Sequence, residues 1–190
     1  NNLALQRVAT RFAFLLNPDC EVNSQDISQL LQAACANPDF AIIVPQLISP
    51  SGLPEVNYRW PSSDWQSRGP AADGPCCVGF VCGAAMLLNM EVMREVGFFD
   101  EGFFLYYEDD DLCKRVFDQK RQMLVVPSVR LIHRSRGSVG GKYRWRSEYL
   151  RGYHHAQSKI RFARKYQGTE QAEKLRMRTL QLALLAMPLR

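Results

Sequence analysis

The sequence predicts an α/β fold in which helices flank a mostly parallel sheet. Two short apolar runs, Phe12–Leu16 and Phe40–Val44, have the uninterrupted pattern of strands that are buried on both faces. Each run stops at or just before a proline, which has no backbone donor for a strand ladder. Segments with helical spacing lie between and after such runs, and this alternation is typical of the α/β class.

The remaining elements are predicted from periodicity, capping residues and chain breakers. A helix is expected over residues 26–36 after an aspartate cap, and a short helix begins at Asn89 and ends at Gly97. Residues 49–75 are rich in proline and glycine, which predicts a long surface loop. Further elements are expected at 1–9 (the end of a helix), 77–88 (an apolar segment), 110–120 (a helix), 123–133 (a strand), 145–166 (a helix) and 169–190 (a helix).

Composition excludes several classes of protein. The 190-residue chain is 46% hydrophobic and 23% charged, which is incompatible with wholesale disorder. No fixed period repeats, and no apolar run approaches the roughly 20 residues of a membrane span or forms a cleavable signal. The six cysteines lack a C-x-x-C pair, which indicates thiols in a reducing compartment rather than a disulfide framework or a zinc site.

Charge is distributed unevenly along the chain, whose formal net charge is +5. The first part is mixed to acidic and ends in four consecutive acids, Glu108 to Asp111, and from Lys114 onward the chain is strongly basic. An acidic cluster before a basic half indicates a metal site beside a surface that binds anions. An ordinary solvated surface of uneven charge explains the same composition, and both readings stay open at this point.

Ionisable residues stand at the ends of three predicted elements: Asp19, the Glu108–Asp111 cluster and His133. Ligands of open α/β sheets bind outside the C-terminal strand ends. Carboxylates suit Mg²⁺ and Mn²⁺, and Mn²⁺ also accepts imidazole. A cation there would neutralise a diphosphate leaving group, and a carboxylate free of metal would act as a general base. Taken singly, Asp19 can be a turn residue, the acids can complement a helix dipole, and His133 can be an ordinary strand-end histidine.

A longer pattern resembles the family 2 glycosyltransferases, and within them the bacterial rhamnosyltransferase-like branch. It comprises Gly83–Leu88 and the stretch Val96–Arg115, which contains the aromatic-E-D-x-D-L-C-x-R block. LLNPD, ending at Asp19, is similar to that branch's replacement for the D-x-D metal motif, and the segment from His133 to Ser138 resembles its downstream histidine segment. Ser158–Tyr166 resembles a further basic-aromatic run, so the resemblance covers nearly the whole chain.

This resemblance implies a GT-A fold with a Rossmann-like mixed, mostly parallel sheet, and an inverting transferase that requires Mn²⁺ or Mg²⁺. The implied donor is a nucleotide-diphosphate sugar such as dTDP-rhamnose or a UDP-sugar. The implied acceptor is a hydroxyl of a glycan or lipid-linked glycan in polysaccharide biosynthesis of the bacterial cell envelope. By residue, the resemblance implies Asp109 as catalytic base; Asp19 and His133 at the metal; Asn17, Asp19, Gly83, Ala84, Arg134 and Arg136 at the donor; and Tyr107, Glu108 and Asp111 at the acceptor.

The chain departs from the family pattern in two places. The first strand and the βα unit that hold the nucleotide base are missing, so the resemblance implies an N-terminally truncated chain that lacks its first βαβ portion. It accordingly divides into a partial GT-A domain over 1–140 and a C-terminal helical segment over 141–190. Asp110 adds an acid where the family carries a neutral residue, and no role is assigned to it. The alternative is an inactive glycosyltransferase fragment that serves as a binding or interaction domain.

The C-terminal segment 174–190 mixes leucines with basic residues. It is either a basic amphipathic helix at a membrane surface or a helix docked on the protein. We expect a cytoplasmic protein, peripheral on the inner face of the plasma membrane if the first alternative holds. A metal-dependent phosphoesterase, with two ions about 3.5–4 Å apart, is a further alternative. Nucleic acid is not an expected partner, because the arginines follow no recognisable binding motif.

Overall fold

The computed structural model describes residues 1–134 and 144–185, in which two compact units are present. Among the described residues the first contains Asn1–Phe99 and the stretch from Asp109 to residue 134, and the second contains Asp100–Glu108 and the C-terminal helices. The division at residue 140 expected from the sequence remains a prediction. The grouping of 100–108 with the C-terminal helices was not predicted.

The described chain contains six helices and ten strands, and seven of the strands follow one another without a helix between them. The helices are α1 (Asn2–Leu5), α2 (Ser24–Ala36), α3 (Met90–Val96), α4 (Glu108–Asp118), α5 (Arg144–Tyr166) and α6 (Thr169–Leu185). The strands are β1 (Phe12–Leu16), β2 (Cys20–Glu21), β3 (Phe40–Ile48), β4 (Pro54–Glu55), β5 (Tyr58–Ser62), β6 (Trp65–Ser67), β7 (Cys76–Cys77), β8 (Phe80–Val81), β9 (Ala85–Asn89) and β10 (Gln122–His133).

The main sheet has the order β1-β9-β3-β10-β2, with β4 paired to β3 and β7 paired to β10. Of these pairs only β3–β10 is parallel, and the other pairs of the described sheet are antiparallel. The predicted mixed sheet flanked by helices is therefore confirmed, whereas its predominantly parallel character is wrong. Strand β9 runs antiparallel to both of its neighbours, β1 and β3, and the short strands β2, β4 and β7 add three further antiparallel pairs. Periodicity predicts neither the direction of a strand nor a strand of two residues.

The core of the first unit lies where α2 packs against the sheet. Leu30 and Ala34 on α2 are buried together with Phe40, Ile43 and neighbouring apolar residues of the sheet. Each of the large side chains among them contributes about 1.5–3 kcal/mol by its removal from water. The cap of α2 is Asn23, whereas the sequence predicted an aspartate. Asp26 stands three residues further on and completes a reciprocal capping box with Asn23.

Strand β1 is not buried on both faces, as its uninterrupted apolar run predicted. Its residues are half-buried, and Leu16 is exposed. The physical reason is its position: β1 pairs only with β9 and therefore forms one edge of the described sheet. The same kind of run in β3 is fully buried because β3 lies between β9 and β10.

Strand β3 continues through Pro45, where the sequence predicted its end. The partner strand β10 shifts register between Val126 and Arg130, opposite Pro45 and Gln46, which accommodates a residue without a backbone N–H. The predicted loop over 49–75 contains the short strands β4, β5 and β6. Strand β5 lies between β6 and β8 in a second, three-stranded sheet.

The second unit is built on α5 and α6, which pack against each other. Its segment 100–107 is attached to α5 by charged and aromatic contacts. Asp100 forms ion pairs with Lys165 at 2.8 Å and Arg161 at 3.5 Å, and Arg161 also lies over the buried Phe103 ring. No helix in the described ranges is long and apolar enough to cross a membrane.

Helix α4 is joined to the preceding chain by a buried ion pair. Asp111 has no exposed surface, and its Oδ2 accepts from Arg115 Nε at 2.9 Å. The same guanidinium donates to the carbonyl oxygens of residues 96, 97 and 98 at 2.6–3.0 Å. Arg115 therefore ties the end of α3 to α4, and Asp111 provides the charge that holds it there.

Prediction: replacing Arg115 with leucine lowers the free energy of unfolding by about 3–5 kcal/mol, because the buried Asp111 carboxylate loses the guanidinium. The matched control is Lys114→Leu, which breaks the exposed Lys114–Asp118 pair on the same helix and costs about 0–1 kcal/mol. Urea unfolding of the two variants measures both values. Equal losses of unfolding free energy in the two variants would contradict the prediction, because they would show that the buried pair stabilises the protein no more than the exposed pair does.

Candidate functional site

The backbone of Gly83 and Ala84 joins two parts of the candidate site. The Gly83 N–H donates to Asp109 Oδ2 at 3.0 Å, at the beginning of α4. The Ala84 carbonyl accepts from the Asn17 N–H at 2.8 Å and from Cys20 Sγ at 3.6 Å. The turn after β1 and the first turn of α4 are therefore attached to consecutive residues of one short connection.

Asp19 and His133 lie side by side because of strand pairing. Strand β2 follows Asp19 directly and pairs with the end of β10, where His133 is opposite Cys20. The Arg134 N–H donates to the Asp19 carbonyl at 2.8 Å, which extends this pairing by one residue. As a result Asp19 Oδ1 lies 3.6 Å from His133 Nε2, and the two side chains are only 9% and 15% exposed.

This pair belongs to the one group of three potential metal ligands among the described residues. Ligand atoms of Asp19, Cys20 and His133 all lie within 4.8 Å of one another. Burial, followed by the charge of Asp19, raises the pKa of Cys20 to about 11, so its thiol is protonated at neutral pH. A carboxylate and an imidazole at this separation match the donor set that Mn²⁺ accepts. The residues therefore fit a divalent cation.

Glu55 is a member of this site that sequence reasoning missed. Its Oε2 lies 3.4 Å from His133 Nδ1, on the opposite edge of the ring from Asp19. Glu55 lies in the proline- and glycine-rich segment predicted as a loop, and no motif distinguishes it there. Only the pairing of β4 with β3 reveals its position.

Asp109 is fixed in orientation by backbone donors. Its Oδ2 accepts from Gly83, and its Oδ1 accepts from the Asp110 N–H at 2.9 Å. Burial raises the pKa of Asp109 above its ordinary value, although these hydrogen bonds oppose the shift. A carboxylate with a raised pKa is a stronger base than an exposed one, which suits the predicted role of Asp109.

Asp110, which had no assigned role, lies beside this base. Burial, and then the charge of Asp109, raises the pKa of Asp110 to about 7, while the charge of Arg59 and a hydrogen bond from Gln66 act in the opposite direction. Asp109 therefore opposes the ionisation of Asp110, whereas a hydrogen bond with the Asp110 side chain lowers the pKa of Asp109 and offsets part of the effect of burial. Asp110 thus influences the pKa of the proposed base, Asp109.

The other predicted donor and acceptor residues have different surroundings. Asn17 is exposed at the end of β1, and Arg134 is exposed and ion-paired with Glu21. Asp111 is fully buried against Arg115, so its location does not support the direct acceptor contact predicted from the sequence. Arg136 lies outside the described residues.

Tyr107 and Glu108, both predicted at the acceptor, stand immediately before Asp109. Tyr107 has a positive φ of 66°, and its ring contacts the rings of His155 and Phe162 on α5 at 5.4 and 5.5 Å. Glu108 is half-buried and begins α4. Ser158 Oγ donates to the Leu105 carbonyl at 2.9 Å. The Ser158–Tyr166 run therefore supports the aromatic segment that leads to Asp109.

Comparison with known proteins finds glycosyltransferases, although no family model matches the chain. The chain is 29% identical over 119 residues to the low-salt glycan biosynthesis hexosyltransferase Agl10 of Haloferax volcanii, a match of 59% of this chain and 38% of that protein. It is 27% identical over 151 residues to the N-acetylglucosaminyl-diphospho-decaprenol L-rhamnosyltransferase of Mycobacterium tuberculosis, a match of 68% of this chain and 48% of that protein. The chain thus spans less than half the length of either relative.

A similar solved structure is that of GalNAc-T7 with UDP, GalNAc and Mn²⁺. The TM-score is 0.54 at 17% identity, over 70% of this chain and 29% of that one. At this identity the likeness shows the fold, which is the GT-A fold of glycosyltransferases. The resemblance stated from the sequence, to glycosyltransferases and to the rhamnosyltransferase-like kind, is confirmed.

Prediction: Asp110→Asn loses less stability than the wild type does when the pH rises from 4.5 to 8. A carboxyl group whose folded pKa is about 7, against an ordinary 3.8, binds more protons in the folded state. Its stabilising contribution is complete below pH 3.8 and is lost as pH rises through 7. Midpoints of thermal unfolding across this range measure the effect. The control is Asp118→Asn, at the exposed end of the same helix, which should keep the wild-type pH dependence. The prediction would be contradicted if the unfolding midpoint of Asp110→Asn depended on pH as that of the wild type does.

Proposed function

We propose that the protein is a metal-dependent inverting glycosyltransferase. It transfers a sugar from a nucleotide-diphosphate donor to a hydroxyl of a glycan or lipid-linked acceptor. The observation that carries the proposal is the arrangement around one short connection: Gly83 holds Asp109, and Ala84 holds the turn that leads to Asp19 and His133. The named activities of the relatives, a hexosyltransferase and a decaprenol-linked L-rhamnosyltransferase, favour the same reaction class.

In this proposal Asp109 is the general base. Its ionised carboxylate accepts the proton of the acceptor hydroxyl while that oxygen attacks the anomeric carbon of the donor sugar. The bond from that carbon to the phosphate oxygen breaks, and the nucleoside diphosphate leaves with the electron pair. A single displacement of this kind inverts the anomeric configuration. The raised pKa of Asp109 helps, because a base is most effective when its pKa is near the working pH.

Asp19 and His133 would hold a divalent cation, Mn²⁺ or Mg²⁺, which supplies positive charge for the departing diphosphate when bound. Their separation of 3.6 Å matches two ligands of one ion. The neighbour crystallised with UDP and Mn²⁺ supports a metal in this fold. Within the described residues the geometry offers one such group, which favours this reaction over a phosphoesterase that needs two ions.

The donor sugar and diphosphate would lie along the connection between β8 and β9. Gly83 and Ala84 present backbone there, and Asn17 is exposed beside Ala84. Arg134 would reach a phosphate only after release from Glu21, because the two form an ion pair on the surface. Tyr107 and Glu108 precede the base directly, which supports their assignment to the acceptor.

Helix α6 would bring the enzyme to a lipid-linked acceptor. Leu180, Leu182, Leu184 and Leu185 on this helix are 48–82% exposed, and basic residues precede them. Exposed leucines with adjacent positive charge favour the surface of an anionic membrane. These features support the alternative in which the C-terminal segment lies at a membrane surface.

Prediction: Asp109→Asn lowers the turnover of sugar transfer by about 10²–10⁴-fold, the range for loss of a general base. Binding of the nucleotide is retained, because the amide keeps the shape of the carboxylate. Radiolabelled sugar transfer and calorimetric nucleotide titration measure the two effects separately. Asp118→Asn is the control on the same helix and retains turnover. Wild-type turnover in Asp109→Asn would refute the assignment of the base.

Prediction: the double variant Leu182→Ser and Leu185→Ser binds phosphatidylglycerol vesicles at least about tenfold more weakly, because each leucine loses roughly 1.5–3 kcal/mol of apolar burial. Cosedimentation with vesicles, compared with neutral phosphatidylcholine vesicles, measures the binding. Leu3→Ser, which alters a residue that is 76% exposed at the other end of the chain, is the control and retains binding. Vesicle binding that is unaffected by the double variant would contradict the role of α6.

A further inference from the structure

We propose that Glu55 is a positioning residue of the metal centre. It accepts a hydrogen bond from His133 Nδ1 and thereby presents the Nε2 lone pair to the ion. The inference rests on the proposed function, because the ion is the one that Asp19 and His133 would share. Glu55 belongs to neither the metal-ligand set nor any motif in the sequence.

The two carboxylates contact opposite edges of one imidazole ring. Asp19 Oδ1 lies 3.6 Å from His133 Nε2, and Glu55 Oε2 lies 3.4 Å from His133 Nδ1. A neutral imidazole carries one proton, so only one edge donates a hydrogen bond and the other presents a lone pair. A lone pair that faces a carboxylate is repelled by it unless a cation lies between the two groups. One edge of His133 therefore suits a cation.

The cation belongs on the Asp19 edge. On that edge Cys20 provides a third potential ligand atom, and all three atoms lie within 4.8 Å of one another. The Glu55 edge faces a single carboxylate whose side chain is 37% exposed. The proton of neutral His133 accordingly resides on Nδ1, directed to Glu55. Ligand histidines in proteins commonly donate their second nitrogen to a carboxylate in this way.

The backbone of Glu55 is held firmly although its side chain is partly exposed. Strand β4 pairs with β3, where Glu55 is opposite Leu47. The side chain of Gln46, only 4% exposed, donates to the Glu55 carbonyl at 2.6 Å. Strand β10, which carries His133, pairs with the other side of β3. A buried amide and two neighbouring strands therefore set the distance between Glu55 and His133.

The protonation of His133 with a diamagnetic cation bound provides a test that needs no substrate. With Zn²⁺ as the probe, ring ¹⁵N shifts report which nitrogen carries the proton and which binds the cation. We expect the proton on Nδ1 in the wild type and in Glu55→Gln, whose amide oxygen still accepts, and an upfield shift of the Nδ1–H proton signal in Glu55→Ala, which loses the acceptor. His133→Gln assigns the signal. A cation bound through Nδ1, or an Nδ1–H signal that Glu55→Ala leaves unchanged, would overturn the inference.

Binding of Mn²⁺ alone, followed by the electron paramagnetic resonance of the free ion, is the second measurement. Glu55→Ala should weaken Mn²⁺ binding about 10–100-fold, as expected for loss of such a partner, and Glu55→Gln should weaken it less. The matched control is Glu21→Gln, a nearby exposed acid paired with Arg134, which should bind Mn²⁺ nearly as the wild type does. Equal effects of Glu21→Gln and Glu55→Ala would overturn the inference by showing a mere loss of charge.

Asp19→Asn separates this inference from the proposed function. If Asp19→Asn binds Mn²⁺ as the wild type does, the metal centre itself is wrong, and with it both proposals. If Asp19→Asn loses Mn²⁺ whereas Glu55→Ala retains it, the metal centre stands and the positioning role of Glu55 is refuted. Thermal unfolding of Glu55→Ala accompanies these titrations, so that a folding defect is distinguished from a change of affinity.

Discussion

The candidate site depends on the hydrogen bonds of one connection, Gly83 and Ala84. These two residues bind the N-terminal turn of α4 on one side and the turn after β1 on the other. A Cβ on Gly83 would meet Asp109 Cβ at 3.5 Å, an ordinary van der Waals contact, so the attachment depends on the Gly83 N–H rather than on the absence of a side chain. Backbone donors define direction more strictly than flexible side chains, so the base keeps its orientation without help from a ligand.

This arrangement has an electrostatic cost. Asp109 and Asp110 are adjacent carboxyl groups withdrawn from water, and burial raises the pKa of both. Two backbone N–H groups and the charge of Arg59 offset part of the cost, but they do not remove it. The buried pair of Asp111 with Arg115, one residue further along α4, anchors the same helix to the carbonyls after α3. A well-anchored helix can retain a strained pair of acids at its first turn.

The sequence predicted the elements whose signals are local. The buried strand β3, the cap Asn89 and the strand-end residues Asp19 and His133 were all identified from patterns that span a few residues. The sequence could not predict the features that depend on pairing between strands that are distant in the chain. The edge position of β1, the continuation of β3 through Pro45 and the contact of Glu55 with His133 arise from partners distant in sequence.

The basic-aromatic run Ser158–Tyr166 has a supporting role within the second unit. Its side chains bind the segment that ends at Tyr107: Ser158 donates to Leu105, and Lys165 pairs with Asp100. Two consecutive residues of that segment, Tyr106 and Tyr107, have positive φ values, which side chains rarely adopt unless surrounding contacts impose them. The run supplies one such contact through Phe162, and His155, which precedes the run on α5, supplies another on Tyr107. The conformation of the segment that ends at Tyr107 is therefore held, within the second unit, by residues some fifty positions further along the chain.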